Sequence, residues 1–160
     1  MWTDLRKEIE SIREDFGLTD NQYRPLGLKD WQEIEEKVYQ TFCKLTHYKS
    51  RPVFLWEYFK LDTFAVSTEH PYIYLDKLVD DNEAVWFFVT ETVNEVVKFW
   101  FYEGQVKAIQ TITAEASYID ELYLVSKKYD WLICINHHDT LFASGQTMPD
   151  KLRQLEFSIK

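Results

Sequence analysis

The sequence predicts an α+β fold: a single domain over residues 1–160, with a largely antiparallel sheet of about five or six strands, an N-terminal helix pair and further helices packed on the sheet. Three observations predict it. The first part of the chain carries apolar residues at helical spacing, whereas from Val53 onward the apolar runs are short, aromatic or β-branched, and separated by brief polar turns. No repeat, low-complexity tract or Pro/Gly/Ser-rich linker divides the 160 residues, and 46% apolar residues, with 17% aromatic overall, supply one core.

Leu5, Ile9, Ile12 and Phe16 recur at spacings of four, three and four, so a helix is expected over 3–16, capped by Thr3 and stopped by Gly17. Residues 17–29 read as a loop, because Asp20-Asn21, Pro25 and Gly27 are turn formers. A second helix follows Asp30, which stands in a capping-box-like spacing with Glu33, and Ile34, Val38, Phe42 and Leu45 line one side to about His47. The two amphipathic helices are expected to pack together. Val53–Phe59 reads as a strand, Pro71 opens a brief helix ending near Leu78, and Ala84–Thr90 with Val96–Tyr102 forms a hairpin closed by Gly104. A helix over 105–116 crosses to a strand at Glu121–Ser126, and this connection can make one parallel crossover. Trp131–His137 and Thr140–Ala143 form a further hairpin, and Met148-Pro149-Asp150 opens a last helix.

The net charge is −9, and from Glu57 to Glu103 ten acids stand against three bases. Such a field repels nucleic acid and anionic membrane and speeds encounter with a basic protein surface. Asp80, Asp81, Glu83, Glu91 and Glu95 are therefore the candidate partner-binding residues, with a solvated acidic face as the structural alternative. The densely charged N-terminus has no signal-like apolar core, and no apolar run approaches the ~18 residues of a membrane span, so a cytoplasmic protein is expected. Cys43 and Cys134 are expected to be buried free thiols.

Signatures of chemistry are few. Four glycines stand isolated, so neither phosphate-cradling loop pattern occurs and no cofactor is expected. Asn136-His137-His138-Asp139 lies between two strands. His137, His138 and Asp139 offer imidazole and carboxylate ligands to a borderline metal, completed by His70 or His47; the alternative is a polar hairpin tip held by Asn and Asp bonds to backbone. Cys43 and His47, four apart on the expected helix, have the spacing of a thiolate–imidazole pair but no identifiable third orienting residue. Asp80, Asp81 and Glu83 lack the spaced ligands of a calcium loop, and the aromatic block 86–102 lacks the interleaved bases of a nucleic-acid platform.

The stretch Tyr118–Gly145, ending WLICINHHDTLFASG, resembles small acidic single-domain bacterial proteins of uncharacterised families, some of them immunity proteins of polymorphic toxin systems, with the SUKH group as the broad comparison. The resemblance covers about a fifth of the chain and carries no catalytic residues. It implies an α+β fold and neutralisation of a toxin by binding. A non-enzymatic binding protein for a basic partner such as a toxin domain is thus the expected function; a small-ligand or metal-binding protein using the NHHD turn is the alternative.

Overall fold

Helix α1 (Asp4–Asp15) begins where Thr3, in extended backbone, accepts a hydrogen bond from the Arg6 amide, and it ends at Phe16 before Gly17, whose φ of +62° favours glycine. The computed structural model describes residues 3–27, 29–45 and 52–157. Strand β1 (Tyr23–Pro25) and helix α2 (Trp31–Phe42) follow, then strand β2 (Thr63–Ser67), the short helix α3 (Leu75–Leu78), β3 (Ala84–Glu91) and β4 (Trp100–Gln105). Helix α4 (Val106–Glu115) leads to β5 (Ile119–Val125), β6 (Trp131–Ile135), β7 (Thr140–Gly145) and α5 (Met148–Arg153). The expected α+β class holds, with a sheet of seven strands instead of five or six.

The strands are ordered β1-β4-β3-β5-β6-β7-β2, and each neighbouring pair is antiparallel. Helix α4 does carry the chain across β3, because β4 and β5 both pair with β3 and so run in the same direction. They are not neighbours, so the crossover creates no parallel pair.

Strand alternation divides the core in two. Val85, Phe87 and Val89 of β3, Leu122 and Leu124 of β5, and Ile133 of β6 face a cluster that includes α1, α3, α4 and α5. Phe88, Tyr123, Val125, Leu132 and Cys134 face a second cluster built with α2. β5 and β6 are covered on both sides, which is why they read as near-continuous apolar runs; burying each such Leu or Ile contributes about 1.5–3 kcal/mol.

This division corrects the expected helix pair. Leu5, Ile9 and Ile12 of α1 belong to one cluster, and Ile34, Val38, Tyr39 and Phe42 of α2 to the other. Two amphipathic helices adjacent in sequence have each found a different face of the same sheet. The segment between them, expected as loop, supplies β1, which lies against β4 because Gly104 has no side chain: a Cβ there would meet the Gln22 carbonyl at 2.8 Å. Gly104 therefore sits inside β4 instead of closing it.

Val53–Phe59 is not a strand. Leu55–Glu57 forms a 3-10 turn, and the Tyr123 hydroxyl ties the segment to β5 by accepting from the Leu55 amide at 3.1 Å and donating to the Val53 carbonyl at 2.9 Å. A side chain thus meets backbone needs that a sheet ladder would otherwise satisfy. Helix α2 stops at Phe42 because Cys43 turns extended and the chain pairs instead with 58–60, through Lys44 N to Tyr58 O and Lys60 N to Phe42 O.

Candidate functional site

Two features stand out around the sheet. The first is a carboxylate–imidazole cluster around the buried Glu121, where β5 begins and the β6–β7 turn closes. Asn136 shapes that turn: its side-chain oxygen accepts from the His138 and Thr140 amides, both at 3.0 Å, and Asp139 adopts a φ of +56°. The fold thereby swings His137 back toward β5, where its Nδ1 lies 2.7 Å from Glu121 Oε1. Trp56 Nε1, delivered by the 3-10 turn, donates to the same oxygen at 3.2 Å.

Glu121 is fully buried (0% exposed), and its second oxygen, Oε2, has no hydrogen-bond partner. Burial pushes its carboxyl pKa up; the bonds from His137 and Trp56 oppose the rise without cancelling it. Asp120 lies beside it, and Asp120, Glu121 and His137 each present a ligand atom within 4.8 Å of the other two. Phe54 and His138 flank the His137 ring, with centroids at 5.3 Å and 4.0 Å. A cleft of about 320 Å³ opens alongside, with Asp120, Asn136, His137 and Asp139 in its wall.

The second feature is an aromatic groove of about 490 Å³, running between Arg6 of α1, Trp31 and Tyr39 of α2, and Phe99, Trp100 and Phe101 at the start of β4. β1 pairs with β4 from Tyr102 to Gly104, and the Leu26 amide donates to the Phe101 carbonyl at 3.1 Å, which brings Leu26 into the wall of the groove at this end. Val93, Val96 and Val97, exposed by 46%, 48% and 71%, crowd the neighbouring β3–β4 loop.

Of the expected metal ligands, His137 is in the donor cluster, whereas His138 and Asp139 are not; the His138 ring lies against the His137 ring at 4.0 Å, but the donors grouped with His137 come from β5. His70 lies on the wall of the adjacent cleft, and His47 falls outside the described residues. The Cys43–His47 pairing loses its helical premise, since Cys43 is extended, and burial pushes the Cys43 thiol up to about 12, far from thiolate. Cys134 is buried too, and both cysteines are free.

The candidate partner-binding acids do not form one patch. Asp80 and Asp81 are exposed and Glu83 half-buried ahead of β3, whereas Glu95 is exposed beyond its far end, across an eight-residue strand roughly 25 Å long. Glu91 is inside the protein, 1% exposed, accepting at 2.5 Å from Trp100 Nε1, so its carboxylate is not presented to a partner. What sequence reading missed were Glu121 and Asp120: an acid in the run YIDELYLV breaks an otherwise apolar strand, and that break was the available signal.

A family model matches residues 1–156, and its description is a family of unknown function, DUF6756. The chain belongs to this family. No curated protein and no solved structure matches it. The DUF6756 match takes in all the helices and strands described above, so the cluster and the groove both lie within the matched region. Among the described residues, no helix is long and apolar enough to cross a membrane.

Proposed function

We propose that the chain is a non-enzymatic, cytoplasmic protein-binding protein that engages its partner at the open end of β4. The specific form that the resemblance of Tyr118–Gly145 implies is an immunity protein covering a basic toxin domain. The observation that carries the binding reading is the concentration of exposed apolar surface: three valines within five residues stand beside a groove walled by aromatics. Phe16 and Ile73, exposed elsewhere among the described residues, have no other exposed large apolar residue near them in sequence, which is ordinary for a protein surface. Trp and Tyr beside an apolar rim have the composition of an interface core, and the acidic excess of the chain favours a basic partner.

The experiment uses the purified chain and its Val97→Glu and Phe16→Ser variants as baits. Proteins retained by wild type are identified, and the strongest is purified for calorimetric titration. A basic partner whose affinity falls at least about tenfold with Val97→Glu and stays within about twofold with Phe16→Ser supports the reading. Equal affinity for all three baits refutes the β4 surface.

A further inference from the structure

We propose that Asp120, Glu121 and His137 form a binding site for one divalent transition-metal ion of borderline softness, zinc being the reference. The inference is independent of the protein-binding reading. It stands on three observations that converge from separate elements.

The first is geometry: two adjacent residues of β5 and one residue of the β6–β7 turn bring two carboxylates and an imidazole to within 4.8 Å of one another. Adjacent strand residues normally point to opposite faces, and here the strand end and the returning turn allow both acids to reach the same point. The second is the state of Glu121. Its side chain is fully buried, and Oε2 lacks any hydrogen-bond donor although buried carboxylate oxygens ordinarily have one. A cation held by the cluster would give that oxygen the partner it lacks. Glu91 also has an unpartnered buried oxygen, but it does not belong to a cluster of donors.

The third is preorganisation and access. Trp56 Nε1 holds Glu121 Oε1, and the Phe54 and Trp56 rings pack near His137, so two of the three donors are braced by neighbouring side chains. Asp120 and His137 also line the adjacent cleft, which provides an entry path and room for waters to complete the coordination. Three protein ligands with open positions is the usual arrangement of a metal site that keeps water or substrate bound, and an imidazole among carboxylates favours zinc, cobalt or nickel over calcium or magnesium.

The test is titration of the chelator-treated, gel-filtered 160-residue chain with zinc alone by calorimetry, with cobalt substitution read by its visible spectrum and thermal unfolding followed with and without metal. Expected are one ion per chain, a raised Tm on metal addition, and affinity reduced at least about tenfold by Asp120→Asn and by His137→Ala. His138→Ala is expected to stay within about twofold, because that ring is outside the donor set. Absence of saturable one-to-one binding overturns the site. So does a loss of binding with His138→Ala while Asp120→Asn binds like wild type, which would mean a surface imidazole alone holds the metal. Glu121→Gln is informative where circular dichroism shows it folded; Asp120→Asn, at a half-buried position, carries the test in any case.

Discussion

Glu103 illustrates how a single side chain ties several elements together. It stands in β4 opposite Arg24 of β1 and is bonded by the Arg24 guanidinium and by the Lys127 ammonium from the β5–β6 turn. Partial burial disfavours its charge, but the two cations outweigh that effect and hold its carboxyl below the usual range. A carboxylate with a depressed folded pKa contributes stability that is present above the unfolded value near pH ~4.3 and is lost as pH falls through the folded value. Glu103→Gln is therefore expected to lower stability at pH 7 by about 0.5–1 kcal/mol, with the difference from wild type shrinking below pH ~4. Urea denaturation at pH 7 and pH 3 measures this, and a constant difference at both values would show that the loss is packing and not charge. The same scale shows the limit of reading acids from sequence. Glu91 and Glu121 look like surface charges in the string, yet one is capped by Trp100 and the other by Trp56 and His137 inside the protein.

At the scale of elements, the placement of α1 and α2 on opposite faces of the sheet has an energetic consequence. Leu5 packs in the cluster with α4 and the inward side of β3, and Ile34 in the cluster around Phe88 and Tyr123, so the two helices share no core cluster. Leu5→Ala should cost about 2–5 kcal/mol and Ile34→Val about 1 kcal/mol, with the double variant additive to within about 0.5 kcal/mol. Equilibrium denaturation of the three variants gives the coupling directly, and a coupling above about 1 kcal/mol would indicate that the helices support each other. Most element types were legible because their periodicity is strong. α1, α4, β3, β5 and both strands of the last hairpin came out within a few residues of their expected ranges. Val53–Phe59 did not, because a seven-residue run with six apolar residues around Glu57 has no period that separates a strand from a buried turn. β1 and β2 were missed because edge strands of three and five residues rest on pairing with a neighbour more than on their own pattern.

For the whole molecule, the distribution of charge sets how it meets other proteins. Asp80, Asp81 and Glu83 project from the loop before β3, away from the apolar rim at Val97, so on the proposed binding function they steer encounter without forming the interface core. Replacing all three with Lys is expected to slow association with a basic partner and to reduce its salt dependence, leaving dissociation nearly unchanged. Surface plasmon resonance at low and moderate salt, with circular dichroism confirming the fold, resolves the two rates. Identical association rates and salt slopes would make this loop only a solvated face.

The sequence by itself determined the α+β class, the antiparallel habit of the sheet and most of the helices and strands, since these follow from local periodicity and turn chemistry along a continuous stretch of chain. It also singled out the turn Asn136–Asp139, with His137, His138 and Asp139 as candidate ligands. Only the tertiary structure decided that the two N-terminal helices cover opposite faces, and that the donors grouped with His137 are Glu121 and Asp120. The physical reason is the same in both cases. A helix pattern specifies an apolar face without naming the surface it will cover, and a polar side chain specifies its own chemistry without naming the strand, 16 residues away, whose buried oxygen it will reach.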